Sequence, residues 1–307
     1  MRVATVGSSG LRVTRVAMGC AQLGTRVRGS EAIDLVDAAI DAGITFFDTA
    51  DIYGDGESER LLGSALKGKR DSCVVATKFR HASIHPGASR RSIRLALDSS
   101  LARLRTDYVD LYQVHAPDPA TPIEETIGAL QDLVQRGKIL YFGLCNVATW
   151  EIVNAHRVAR EAHRPGLTSA QLPFNLLDIG RLDEFRRVSQ HFGVGLLAAS
   201  PLGRGLLGGA YDLDRPPPAS HPIRRAKGAR YWNAEGFATV ERVRKLAKDR
   251  GVSPAQIALS ALLSYPEVSA VLVGATSTEH VRANSCIDPH LLDQADLRYL
   301  RGRSDHR

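Results

Sequence analysis

Short β-rich runs and amphipathic stretches alternate from one end of the 307-residue chain to the other. Eight runs predict strands: Val16 to Gly19, Thr45 to Asp48, Val74 to Lys78, Val109 to Val114, Leu140 to Leu144, Ser169 to Leu172, Gly195 to Ala199 and Ala270 to Val273. The stretches between them carry helical spacing. Ile33, Val36 and Ile40 share one face of a helix over Ser30 to Ala42, with Gly43 beyond its end. Ile123, Ile127, Leu130 and Val134 do the same over Ile123 to Gln135. SPAQIALSALL opens a third helix, with Ser253 as cap, Pro254 at the first helical position and Gln256 completing a capping box. In SRRSIRLALDSSLARLR, arginines lie opposite Ile93, Leu97, Leu101 and Leu104, so a solvated basic face is expected.

Repeated βα units over about 300 residues predict an α/β fold, a closed (β/α)8 TIM barrel, typically ~250 residues plus insertions. GSSG at 7 to 10 lies between two short runs and predicts an N-terminal β-hairpin. A long loop follows the seventh strand. The rival is an open doubly wound sheet, but no GxGxxG turn follows the first strand. No internal repeat or low-complexity tract divides the chain, so residues 1–307 are expected to form a single barrel domain.

Composition narrows the class. Hydrophobic residues make up 44%, enough for a large core, and no run of about 18 apolar residues exists to cross a membrane. The start MRVATVGSSG lacks the apolar stretch of a secretory signal, so the expected location is cytoplasmic. Cys20, Cys73, Cys145 and Cys286 are scattered without CxxC spacing and are expected to be free, mostly buried thiols, with no metal. The formal charge of +7 is compatible with an anionic ligand. Its basic residues are densest in GRGLLGGAYDLDRPPPASHPIRRAKGARYW, where Arg204, Arg215, Arg224, Arg225, Lys227 and Arg230 face two acids. That loop favours a small anionic cofactor, with neither nucleic acid nor membrane expected as a partner.

A barrel gathers its strand C-terminal ends at one mouth, where barrel enzymes place their chemistry. Those ends supply Asp48, Lys78 and His115, with Tyr53 on the loop after Asp48. Singly, Asp48 reads as a cap, Tyr53 as turn packing and His115 as core or site. Lys78 closing an apolar strand calls for a carboxylate partner. Together they suit proton transfer to a carbonyl oxygen. A tyrosine, with a free pKa near ~10, becomes a usable acid when a cation favours its ionised form. Lys78 is placed to supply that cation, Asp48 to hold Lys78, and His115 to orient the substrate oxygen. Such a tetrad supplies a proton but no electrons, so a hydride donor is required, with a nicotinamide cofactor the best candidate. The loops PLGRGLLGG and VGATSTEHVRAN, after the seventh and eighth strands, are where barrels build phosphate sites.

With these motifs in hand, the chain resembles the aldo-keto reductase family over nearly its whole length. FDTADIYGDGESERLLGSAL carries Asp48 and Tyr53 at the family's spacing, VATKF carries Lys78 and DLYQVHAPDP carries His115. RGKILYFGLCN, SAQLPFNLLD, SPLGRGLLGGAY and VGATSTEHVRAN follow in the family's order. The resemblance implies NADPH-dependent reduction of an aldehyde or ketone, or the reverse, with Tyr53 as general acid and base. By the same carry-over Asn146 and Gln171 hold the nicotinamide carboxamide, with Cys145 beside them and Gly19 and Cys20 also against the cofactor. Ser200, Leu202, Gly203, Arg204 and Gly205 lie along the pyrophosphate. Gly274, Thr276, His280 and Asn284 face the adenosine end, and Arg230 is among the arginines in reach of a 2′-phosphate. The segment after Leu291 borders the substrate pocket.

Four positions depart from the family's pattern: Cys145 replaces a serine, Ala199 an aromatic residue, His280 an arginine or glutamine, and Ala283 a glutamate. NADPH is favoured over NADH on the basic loop alone, and NADH stays open, as does the oligomeric state. Two other readings remain. One is a non-catalytic nucleotide-binding regulatory subunit resembling the potassium-channel β subunits. The other is a metal-dependent hydrolase using Asp48 and His115, disfavoured by Lys78 as third partner. Phe79, Trp150, Tyr231 and Trp232 are candidates for pocket, core or lid, and ESERLLGSAL reads only as the helix after the Tyr53 loop.

Overall fold

The computed structural model describes residues 2–81, 85–161, 166–209, 211–217, 222–224 and 229–302. Ten strands are described: β1 Val3–Thr5, β2 Arg12–Thr14, β3 Val16–Gly19, β4 Phe46–Asp48, β5 Val74–Phe79, β6 Val109–Val114, β7 Ile139–Cys145, β8 Ser169–Pro173, β9 Gly195–Ala199 and β10 Val268–Gly274. β3 to β10 pair in parallel, in chain order, and β10 closes onto β3, forming an eight-stranded barrel. The α-helices are α1 Gly29–Asp41, α2 Glu57–Ala65, α3 Arg90–Leu104, α4 Ile123–Gln135, α5 Thr149–Glu161, α6 Arg181–Phe192, α7 Ala234–Arg250, α8 Pro254–Leu263, α9 Thr278–Ser285 and α10 Gln294–Leu300. The expected (β/α)8 fold is therefore present, and the open sheet is excluded.

Boundaries move by a residue or two because ladder pairing, rather than hydropathy, ends a strand. β10 starts two residues before the predicted Ala270, where Val268 pairs with Leu196. The capping box of α8 forms as expected, with Ser253 and Gln256 satisfying each other's backbone amides.

β1 and β2 pair antiparallel, as the hairpin prediction required. Val6, Leu11 and Val13 of this hairpin pack on Ala17, Phe46, Ala76, Leu111, Leu197, Ala270 and Leu272 inside the barrel. The hairpin is thus a plug under the barrel floor, each fully buried large side chain contributing about 1.5–3 kcal/mol. Its turn needs Gly7, at φ 57°, because a Cβ there would lie 2.0 Å from the Gly193 carbonyl oxygen.

The larger core lies between barrel and helices. Ile93, Leu97, Leu101 and Leu104 of α3 are buried in it, as predicted. Arg103 is the exception to the solvated face expected there: its Nε donates to Glu59 Oε2 at 2.6 Å, and that carboxylate is fully buried.

Candidate active site

Successive strand residues point to opposite faces, so the inward set on each strand follows from one known member. Ala17, Phe46, Ala76, Leu111, Leu197 and Leu272 fill the barrel interior. Two residues on from each lie Gly19, Asp48, Lys78, Gln113, Ala199 and Gly274. Tyr141 packs into the same interior cluster, which puts Gly143 and Cys145 on the inner face of β7. Cys145 pairs in register with Gln171 on β8. The alternation that buries an apolar layer below thereby brings a ring of mostly polar or small residues to the mouth.

Lys78 is completely buried, and its Nζ donates to Asp48 Oδ2 and to the Thr49 carbonyl, each at 2.7 Å. The same ammonium lies 5.2 Å from the Tyr53 ring centroid. The His115 ring meets Tyr53 edge-on at 5.9 Å. All four sequence candidates thus converge. Backbone bonds fix them further: His115 N donates to Phe79 O at 3.0 Å, and Asn146 Nδ2 to His115 O at 2.8 Å.

The Tyr53 loop is anchored by α2, which does more than follow it. Ser58 N donates to Tyr53 O at 3.2 Å, while Ser58 Oγ donates to Cys20 O and shares a hydrogen bond with Thr49 Oγ1, each at 2.8 Å. Glu59 accepts from Thr77 Oγ1 on β5 and from Arg103 on α3, each at 2.6 Å. Reading ESERLLGSAL as a mere helix missed this buried carboxylate.

Burial by itself pulls the Lys78 ammonium down, but Asp48 and then Tyr53 and Cys145 outweigh it, and the pKa ends well above the usual lysine value. The proton therefore resides on Lys78 at neutral pH. Burial pushes Asp48 up, with Lys78 and the Gln171 amide pulling it back. Tyr53 corrects a simple expectation. Lys78 does favour its ionised form, yet burial is the larger effect, and the phenol is raised above its ordinary value.

Beneath the tetrad lies a polar floor. Gln113 Nε2 donates to Gln171 Oε1 at 2.9 Å, Ser169 Oγ to Gln113 Oε1 at 3.4 Å, and the Cys145 thiol to Gln171 Oε1 at 3.7 Å. Gln113 and Ser169 were not singled out from the sequence. Inward alternation two residues before His115 on β6, and two before Gln171 on β8, was the available signal.

The loops over the mouth carry backbone features suited to an anionic ligand. Among the described residues six non-glycine residues have left-handed backbone, and five of them lie on loops of this face: Asp55, Arg80, Asn146, Ser200 and Arg204. Such strain concentrates at ligand sites. Ser200, Gly203, Arg204 and Gly205 form a run of positive φ just past β9, a turn of the kind whose amides cradle phosphates. A Cβ at Gly19, Gly205 or Gly274 would make only ordinary van der Waals contact, at 3.7 Å, 3.7 Å and 4.0 Å. Thr276, His280 and Asn284 follow β10 on the last turn and α9, with Thr276 Oγ1 and His280 Nδ1 3.3 Å apart. Among the described residues no group of three His, Cys, Asp or Glu side chains is placed to hold a metal ion.

The profile of the Aldo/keto reductase family matches residues 15–303. The chain belongs to the aldo/keto reductase family. It is similar to a probable voltage-gated potassium channel subunit beta of Oryza sativa subsp. japonica, 33% identical over 92% of this chain and 90% of that protein. A probable aldo-keto reductase 1 of Glycine max is 32% identical over 96% and 86%, and the uncharacterized oxidoreductase YrpG of Bacillus subtilis is 33% identical over 98% and 95%. Membership makes this aldo/keto reductase an oxidoreductase of a family that acts on small carbonyl compounds with a nicotinamide cofactor. No helix among its described residues is long and apolar enough to cross a membrane.

The basic loop is rearranged relative to its sequence reading. Arg230 pairs with Asp178 Oδ2 at 2.6 Å and with the Tyr231 hydroxyl, so it ties the long loop to the segment after β8. Arg224 is exposed, 5.8 Å from the Trp232 ring, and Arg204 is exposed as well; Arg225 and Lys227 lie outside the described residues. Phe79 is core, stacked on Tyr112, and Tyr231 is buried. Trp232 packs edge-on against Tyr211 and Phe237, and Trp150 at the start of α5 is 68% exposed. Of the thiols, only Cys286 is exposed, and all four are free.

Several buried groups of this aldo/keto reductase hold their protons more tightly than the unfolded chain does. Burial raises the thiols of Cys20 and Cys145 above the ordinary 9.0 and the Tyr112 phenol above 10.0, while Lys78 is raised above 10.5. Their contribution to stability is complete below those unfolded values and lost as pH climbs past them, at about 1.4 kcal/mol per pH unit for each group. Denaturant midpoints should be level from pH 7 to 8 and fall steadily from pH 9 to 11. A midpoint that holds up to pH 11 contradicts this.

Proposed function

We propose that the chain reduces an aldehyde or ketone to an alcohol with NADPH, or runs the reverse reaction, using Tyr53 as the proton donor. What carries this reading is a fully buried ammonium held by Asp48 and the Thr49 carbonyl beside a tyrosine whose ring edge meets His115. When bound, the nicotinamide supplies or accepts the hydride. Tyr53 Oη gives its proton to the carbonyl oxygen, and the positive charge of Lys78 stabilises the phenolate left behind. Asp48 is a positioning residue: it keeps Lys78 charged and aimed. His115 donates to the same oxygen and fixes its approach. Burial keeps the proton on Tyr53 at neutral pH but weakens the phenol as an acid, and the Lys78 charge offsets part of that cost.

Asn146 and Gln171 are the residues for the carboxamide. Gln171 Oε1 is committed to Gln113 and Cys145 and its NH2 group bonds Asp48, which leaves one amide hydrogen to reach outward. Gly19 and Cys20 border the same end. Ser200, Leu202, Gly203, Arg204 and Gly205 would hold the pyrophosphate on their left-handed turn, and Gly274, Thr276, His280 and Asn284 the adenosine. Since Arg230 is already ion-paired, Arg204 and Arg224 are the arginines that favour NADPH over NADH.

The test mixes purified protein with NADPH or NADH and follows nicotinamide absorbance over a panel of aldehydes, ketones and alcohols. Turnover, faster with NADPH, supports the proposal. The name of the Oryza sativa relative favours a second reading, a nucleotide-binding regulatory subunit. NADPH binding without turnover of any carbonyl supports that reading instead, and absence of both overturns the two together.

A further inference from the structure

Gln113, Gly143 and Ser169 lie in one row across β6, β7 and β8, each paired in register with the next, and Cys145 and Gln171 pair in the row above. Gln113 and Ser169 are fully buried. Barrel interiors are mostly filled by branched apolar side chains, and a buried amide is costly unless both its ends are bonded. Both ends of Gln113 are: Ser169 Oγ donates to its Oε1 at 3.4 Å, and its Nε2 donates to Gln171 Oε1 at 2.9 Å. Only glycine fits between them. A Cβ on Gly143 would lie 2.1 Å from Ser169 Oγ and 3.3 Å from Gln113 Oε1, so a larger residue there would push Ser169 off Gln113.

This chain of bonds has a direction. The oxygen and nitrogen ends of an amide have nearly the same shape, so packing does not choose which end faces which neighbour; hydrogen bonding does. Asp48, paired with the Lys78 ammonium, only accepts, and it draws the NH2 end of Gln171. Gln171 Oε1 must then find its donors on the floor. The Cys145 thiol, at 3.7 Å, is a weak one, so Gln113 Nε2 is the strong one, and Gln113 in turn gives its own oxygen to Ser169. One amide hydrogen of Gln171 remains. Asn146, whose backbone N donates to Gln171 O at 3.0 Å, spends its Nδ2 on the His115 carbonyl and so offers its oxygen. A donor from Gln171 and an acceptor from Asn146 complement the C=O and NH2 of a carboxamide.

We propose that Gln113 is a positioning residue for the cofactor: backed by Ser169, it fixes which way round the Gln171 amide sits, so that Gln171 presents a donor to the nicotinamide carboxamide. This rests on the nicotinamide reading above. It deepens that reading by assigning a residue that itself touches neither cofactor nor substrate.

The test titrates NADP+ and adenosine 2′,5′-bisphosphate into the full chain by calorimetry, with a thermal melt of every variant. The bisphosphate carries the adenosine end of the cofactor and no nicotinamide. Gln113→Met keeps the length of the side chain and removes its amide. It should weaken NADP+ by ~5-fold or more and leave the bisphosphate within about 2-fold of the parent. Gln171→Met should weaken NADP+ as well, and the double variant should lose nothing further, because Gln113 acts through Gln171. Ser169→Ala should follow the pattern of Gln113→Met at ~2-fold or more, so the result stands even if Gln113→Met folds poorly. Unchanged NADP+ affinity, equal weakening of both ligands, or losses that multiply in the double variant overturn the proposal. A parent that binds NADP+ but turns over no carbonyl sinks the carbonyl-reducing reading and leaves the role of Gln113 standing. A parent that does not bind NADP+ overturns both.

Discussion

Replacing Tyr53 by Phe lowers kcat/KM for carbonyl reduction by roughly 10²–10⁴-fold, the usual worth of a positioned general acid. The change removes one hydroxyl and keeps the ring, so the contacts with the His115 ring and the Lys78 ammonium persist. Ser58 holds the loop through the Tyr53 backbone, which the substitution does not touch. Cofactor affinity and melting temperature are therefore expected to stay near the parent's while turnover collapses. Steady-state rates, cofactor titration and a thermal melt together separate the two. A Phe variant as active as the parent refutes Tyr53 as the proton donor.

Lys78→Met removes the cation from the centre of the site and is expected to damage stability as well as rate. Asp48 is 3% exposed, and its ion-pair partner is Lys78. Taking away one member of a buried pair leaves an uncompensated charge, at a cost of about 3–5 kcal/mol. The double variant Lys78→Met with Asp48→Leu should recover much of that loss, since two apolar groups need no pairing, but none of the activity. Without the ammonium, burial acts on Tyr53 unopposed and its pKa climbs further, so any residual alcohol oxidation shifts to more alkaline pH. Denaturant melts of the parent, single and double variants give the stability terms. A Lys78→Met protein as stable as the parent shows that the buried pair does not hold Asp48 in the way described.

The βα alternation, the hairpin and the helix caps were legible because each is a local pattern. Period-2 and 3.6 hydropathy, a glycine turn and Ser253 with Gln256 all act within a few residues. The tetrad was legible for a related reason. In a closed parallel barrel all strand C-terminal ends meet, so placing Asp48, Lys78 and His115 near strand ends already brings them together.

Other parts depend on segments far apart in the chain. Glu59 and Arg103 lie 44 residues apart, and Asp178 and Arg230 lie 52 apart, so no local pattern could show that each acid has its base. That pairing turned Arg103 from a solvated arginine into an anchor for the Tyr53 loop, and Arg230 from a phosphate candidate into a loop tie. Gln113 looked unremarkable in DLYQVHAPDP until the inner face of β6 was known.

Taken alone, the order of residues determined the barrel, the plug beneath it and the four side chains at its mouth, because short-range periodicity and strand polarity decide them. Only the folded chain decided how the long-range charges pair, and that burial outweighs Lys78 in holding the Tyr53 proton. Desolvation belongs to everything packed around a group, and that surrounding is assembled from distant parts of the chain.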